Sequence, residues 1–90
     1  MESTRKSYKI ILEHKAEKQL KDLSKADYLK VRIAFDKLST DPRGHNTIKL
    51  TDSDNEYRFR VGNFRILYTI ADRILTVYIF EVVNRKDAYR

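Results

Sequence analysis

Cysteine is absent from this 90-residue chain, so disulfides and thiolate metal sites are excluded, and nothing marks the protein as secreted. Long hydrophobic runs are absent too. A membrane-spanning helix needs roughly 18 or more consecutive apolar residues, and no stretch approaches that. Met1-Glu2-Ser3-Thr4-Arg5-Lys6 is not followed by the apolar run of a signal peptide. These absences predict a soluble, cytoplasmic protein. Only two glycines and one proline occur, and they fall where local patterns break. With 41% apolar residues, the chain suffices for one small core, so residues 1–90 are read as a single domain.

What the chain has in excess is charge. Charged residues make up 36% and the formal net charge is +6, which favours acidic partners, nucleic acid first. The two basic residue types are segregated: eight of ten lysines precede residue 38, whereas six of nine arginines lie from Arg58 onward. Lysines on helices are usually a solvated face. Arginine's planar fork grips phosphate with two hydrogen bonds, so arginines gathered on a sheet point to an anion. The competing reading is that they only aid solubility.

Tyr8-Lys9-Ile10-Ile11-Leu12 has the aromatic and β-branched content of a first strand. From His14 the spacing turns helical, with Ala16, Leu20 and Leu23 on one face. Ser24, with Asp27 three residues later, resembles a capping box for a second helix. That helix carries the stripe Tyr28, Val31, Phe35 and Leu38, and Asp41-Pro42-Arg43-Gly44 breaks it. Residues 43–55 read as a polar loop anchored by Ile48 and Leu50.

Tyr57 to Tyr68 then forms two alternating runs joined by Gly62-Asn63, a β-hairpin signal. A two-residue loop places Val61 opposite Phe64, Phe59 opposite Ile66 and Tyr57 opposite Tyr68 on one face. The other face carries Arg60 opposite Arg65, and Arg58 opposite Leu67. Like charges set directly opposite are destabilising, and an anion between them would offset the cost. A third run, Ile74 to Phe80, follows an Asp72-Arg73 turn without glycine. If that turn also has two residues, Tyr68 meets Val77, Ile66 meets Ile79, Tyr78 lies beside Leu67 and Phe80 beside Arg65.

The predicted order is β-α-α-β-β-β, an α+β fold with a helical hairpin on one face of a three-stranded antiparallel meander. The arginine face, with Tyr78 and Phe80, is left open. Such a surface can hold single-stranded RNA by gripping phosphates and stacking bases. Alternatively, Tyr78 and Phe80 are covered by a C-terminal segment or a partner chain.

Leu38-x-x-Asp41-Pro42, Lys49-Leu50, the Tyr57–Tyr68 hairpin and Asn84-Arg85-Lys86-Asp87-Ala88-Tyr89-Arg90 together resemble the RelE-like toxins of the RelE/ParE superfamily. The likeness spans nearly the whole chain and makes residues 1–90 one RelE-like toxin domain. It implies the toxin of a type II toxin–antitoxin pair, an endoribonuclease that enters the ribosomal 30S A site and cuts mRNA without metal or cofactor. The RNA's own 2′-hydroxyl attacks the adjacent phosphate, leaving a 2′,3′-cyclic phosphate. By motif position the resemblance assigns Arg58, Arg60, Arg65, Arg85 and Tyr89 to catalysis. It implies an antitoxin encoded by an adjacent gene, whose own domain would carry the complex to operator DNA.

The residues themselves support part of this. Arg60 and Arg65 can clamp the charge that develops on a phosphorane, and Arg85 can serve the leaving 5′-oxygen. No general base is evident, because arginine stays protonated. Tyr89 either takes that role with its phenol pKa depressed by arginines, or stacks on a base. Lys49 is read as an RNA-backbone contact, and Tyr78 and Phe80 as base-stacking residues. His14 and His45 lack the mutual placement of a catalytic pair. Asp52, Asp54 and Glu56 lack the glycine and closing glutamate of a calcium loop, so no metal site is expected. Two other functions share the fold by resemblance: a ParE-like inhibitor of DNA gyrase, and an inactive member that only binds its antitoxin.

Overall fold

The computed structural model describes residues 7–50 and 55–84. Its elements are β1 (Lys9–Leu12), α1 (His14–Lys21), α2 (Lys25–Thr40), β2 (Thr47–Lys49), β3 (Glu56–Val61), β4 (Phe64–Ala71) and β5 (Thr76–Asn84). They build an α+β fold whose mixed five-stranded sheet runs β1-β5-β4-β3-β2. β1 lies parallel to β5, and the remaining pairs are antiparallel.

The helices form where the periodicity places them, although Tyr28, expected on the buried stripe of α2, is 39% exposed. Ser24 Oγ accepts a hydrogen bond from the Asp27 backbone N–H at 3.1 Å, which caps α2. Val31, Ala34, Phe35 and Leu38 then bury one stripe of α2, while Ala16 and Leu20 do the same for α1. Against them pack Tyr57, Phe59, Phe64, Ile66, Tyr68, Ile70, Val77, Ile79 and Val82 from one face of the sheet. α2 ends at Thr40, and Pro42, lacking an N–H, could not extend it.

The β3–β4 hairpin has the predicted register throughout, including Arg60 opposite Arg65 and Tyr57 opposite Tyr68. Gly62 takes φ 56 as the first loop residue and Asn63 is not left-handed, the pattern of a type II′ turn.

Three sequence expectations about strands and turns are corrected. First, the stretch read as loop contains β2, which pairs Thr47 with Phe59, Ile48 with Arg58 and Lys49 with Tyr57. Ile48 is therefore no anchor but 53% exposed, while Leu50 is half-buried.

Second, the β4–β5 connection is longer than two residues. It runs through a 3-10 turn at Asp72–Ile74 and a left-handed Leu75, φ 48, before Thr76 pairs with Ala71. Without glycine the chain does not close the tight turn.

Third, the register slips between Leu67 and Tyr68: Tyr68 pairs with Ile79, but Leu67 pairs with Glu81, leaving Phe80 as the extra residue of a β-bulge. Strict alternation after Val77 and Ile79 would have turned Glu81 into the core. The bulge instead buries Val82 against Ile66 and sends Glu81 to the other face.

Beyond Leu12, β1 no longer covers the edge of β5, and α1 takes over. Gln19 Oε1 accepts from the Val82 backbone N–H at 2.7 Å, satisfying a ladder donor that has no strand partner.

Candidate functional site

The face of the sheet opposite the helices is built in rows set by the register. One row holds Arg60, Arg65 and Val83; the next holds Ile48, Arg58, Leu67 and Glu81; a third holds Glu56, Thr69, Tyr78 and Ile11. Arg58 and Arg65 are half-buried and Arg60 is exposed. Among the described residues, none of these three arginines is ion-paired with a carboxylate. Glu81, the acid nearest in register, is instead bonded to Lys15 of α1 at 3.2 Å. Arg60 and Arg65 are direct cross-strand partners, an arrangement whose repulsion a bound anion would offset.

Other predicted residues are placed differently. Tyr78 shares the face but lies opposite Thr69, two rows from Arg65. Four residues of strand separate those rows, about 13 Å at 3.3 Å per residue. It is therefore not beside Leu67, and Phe80, half-buried in the bulge, is not beside Arg65. Lys49 pairs with Tyr57 and so belongs to the helix-covered side of the sheet, exposed on its edge strand. Asn84 pairs with Phe64, next to the Arg65–Val83 pair, and is the last described residue. Arg85 and Tyr89 follow it in the chain and lie outside the described residues, as do Asp52 and Asp54. His14 and His45 are both exposed, on α1 and in the loop before β2. Among the described residues, no group of three His, Asp or Glu side chains is placed to hold a metal.

Sequence reading missed a second polar cluster, at the opposite end of the hairpin. Arg43 bonds both carboxylate oxygens of Asp72, at 3.0 and 2.8 Å, and its Nε donates to the Tyr57 hydroxyl at 3.1 Å. The guanidinium also lies 5.4 Å from the centre of the Tyr57 ring, which stacks on Tyr68 at 5.8 Å. Tyr8 donates its hydroxyl proton to Asp72 at 2.9 Å, and that bond raises the Tyr8 pKa above its usual value. Buried Tyr68 donates to the Pro42 carbonyl at 2.6 Å, and burial pushes its phenol pKa strongly upward. The carboxylate of Asp72 holds Arg43 firmly protonated. This cluster ties β1, the loop after α2 and the β4–β5 turn to the sheet. It is internally neutralised, unlike the hairpin arginines. Its only sequence signal was Asp41-Pro42-Arg43, which reads as a helix stop and gives no hint of Asp72.

Over β2 and β3, on the face opposite the helices, a cleft of about 150 Å³ is lined by Asn46, Ile48, Arg58 and Arg60. No helix among the described residues is long and apolar enough to cross a membrane.

Comparison with known proteins assigns this architecture. Residues 10–89 match the family described as the ParE toxin of type II toxin–antitoxin systems. A Methanocaldococcus jannaschii protein carrying the toxin name RelE1 is 33% identical, over 81% of this chain and 84% of its own length. Among solved structures, the archaeal RelE–RelB complex from Pyrococcus horikoshii has a chain at 25% identity and TM-score 0.77, covering 88% of this chain and 96% of its own. The RelBE2 toxin–antitoxin complex of Mycobacterium tuberculosis has one at 26% and 0.79, covering 93% and 98%. The chain belongs to the ParE toxin family of type II toxin–antitoxin systems, and within it is a RelE-like toxin.

Proposed function

We propose that this toxin is a ribosome-dependent endoribonuclease that cuts mRNA in the 30S A site and so stops translation in the cytoplasm. The observation that carries the reading is the pair Arg60 and Arg65, juxtaposed on the uncovered face with no carboxylate partner among the described residues. In the reaction the 2′-hydroxyl loses its proton to solvent as its oxygen bonds to phosphorus, and the bond from phosphorus to the 5′-oxygen breaks as that oxygen takes a proton from solvent. Negative charge grows on the equatorial phosphorane oxygens between these events. Arg60 and Arg65 stabilise it as preorganised donors, and Arg58 holds a neighbouring phosphate. Arg85, in this reading, meets the leaving 5′-oxygen, and Tyr89 orients or stacks a base. Tyr78 is far enough from the pair to stack only a more distant base. Guanidinium charge supplies the stabilisation, so the chemistry calls for no metal or cofactor.

A cognate antitoxin, encoded by an adjacent gene, holds the toxin inactive. The RelE–RelB complex of P. horikoshii and the RelBE2 complex of M. tuberculosis support that expectation. Its apolar residues would cover Tyr78 and Phe80, and its own domain would carry any binding to operator DNA.

A second reading has its own support, since the matching family is described by the ParE toxin. A ParE-like member would inhibit DNA gyrase and leave RNA intact. Mapping mRNA ends in a translating extract, beside a gyrase supercoiling assay, separates the two. Codon-phased cuts with unimpaired supercoiling are expected; intact mRNA with blocked supercoiling would establish the gyrase reading.

A further inference from the structure

We propose that the cleft formed by Asn46, Ile48, Arg58 and Arg60 is a subsite for one unstacked nucleobase flanking the phosphate held by Arg60 and Arg65; this rests on the reading of the arginine face as an RNA site. The cleft's volume, about 150 Å³, suits a single ring system. Its wall is chemically mixed in the way a base requires. Ile48 is an exposed aliphatic side chain beside Arg58 and Arg60 in the cleft wall, and it offers an apolar contact. Arg58 and Arg60 offer guanidinium planes, on which unstacked bases pile. Asn46 offers an amide, with both a donor and an acceptor for a base edge. Arg60 belongs to both sites, which places the base next to the phosphate in the pair.

The loop that carries Asn46 is fixed to the sheet. Its carbonyl accepts from the Arg60 backbone N–H at 3.2 Å. On either side of Asn46, the Thr47 N–H and hydroxyl both bond the Gly44 carbonyl, at 3.2 and 2.6 Å, and the Arg43 N–H bonds the Asp41 side chain at 3.2 Å. A Cβ on Gly44 would come within 2.7 Å of Asp41 Oδ2, so this turn admits no side chain there without moving that carboxylate. Asn46 itself takes φ 67, a left-handed conformation that glycine and asparagine accept most readily. The backbone alone would thus be served by glycine, and the amide is the part left over for a ligand. That separation makes the proposal testable.

The measurement is fluorescence anisotropy with a short labelled 2′-O-methyl oligoribonucleotide, which binds but lacks the attacking hydroxyl, and with the same backbone carrying abasic positions. The wild-type chain is expected to prefer the base-bearing strand. Asn46→Gly, which keeps the backbone conformation, and Ile48→Thr, which keeps a β-branched strand residue, should each weaken that strand about fivefold. Neither should alter binding of the abasic one. Arg65→Ala should weaken both strands equally. The proposal is overturned if the wild type shows no preference for bases, or if Asn46→Gly and Ile48→Thr leave the base-bearing strand unaffected. Equal losses on both strands overturn it too. If those variants instead weaken binding of a polyglutamate peptide, the cleft belongs to an acidic protein segment. Should Arg65→Ala change neither strand while the base preference persists, the phosphate clamp fails and the subsite stands.

Discussion

Arg60 and Arg65 stand directly opposite each other across a hairpin whose loop is only Gly62-Asn63, on the face the helices leave uncovered. Their repulsion works against folding, and nothing among the described residues neutralises it with a carboxylate. A stability measurement and an activity measurement should therefore move in opposite directions. Arg65→Ala is expected to leave the fold unharmed or stabilise it by about 0.5 kcal/mol, the size of an unfavourable cross-strand pair. The same change should remove growth arrest on induction. Urea unfolding at low and high salt checks the first part, since screening should stabilise the parent more than the variant. Marked destabilisation by Arg65→Ala would give the arginine a structural role instead.

Gly62 tests the hairpin that sets this pairing. A Cβ there meets nothing within 4 Å, so any penalty comes from its φ of 56 alone. Gly62→Ala is expected to cost about 1 kcal/mol, read as a lower urea midpoint with unchanged slope. No loss would mean that the turn relaxes to another type, and the register of Arg60 would then have to be redrawn.

Arg43 and Asp72 form a two-pronged ion pair, yet their side chains are 43% and 54% exposed. Solvent screening limits its worth, so a double-mutant cycle with Arg43→Met and Asp72→Asn should give a coupling of about 1 kcal/mol or less. Both variants should keep RNA cleavage, because the cluster lies at the far end of the hairpin. Lost cleavage in a folded Arg43→Met protein would tie the cluster to the reaction.

Tyr68 gives the fold an alkaline limit. Its phenol pKa is raised above the ordinary 10.0 by burial, and its proton is donated to the Pro42 carbonyl. A group with a raised folded pKa supports the fold fully below its unfolded pKa and loses that support as pH rises from there through the folded value. Thermal stability should accordingly fall as pH climbs above about 10, the unperturbed tyrosine value. Tyr68→Phe, less stable at neutral pH because the bond is gone, should show a shallower decline. Parallel pH profiles for the two proteins would remove Tyr68 from the alkaline transition.

The hairpin was legible in the sequence because two signals agreed: strict alternation on both sides, and a Gly-Asn pair suited to a two-residue turn. The helices were legible through Ser24 at one end of α2 and Pro42 past the other. β2 was not, because three residues are too few to show a period. The face of Lys49 was lost with it: only pairing to Tyr57 reveals that Lys49 points away from Arg58. The β4–β5 turn hid behind a leucine in a left-handed conformation, a choice that local propensity disfavours. The bulge at Phe80 left one trace, a glutamate where alternation called for a core residue. Arg43 and Asp72, 29 positions apart, meet only once the sheet has formed.

The most direct test of the account is to map mRNA ends in a translating extract with wild-type toxin and Arg65→Ala side by side. Codon-phased cuts bearing 2′,3′-cyclic phosphates are expected from the wild type, and none above background from the folded variant. Intact mRNA with the wild type, or equal cutting by Arg65→Ala, would contradict it.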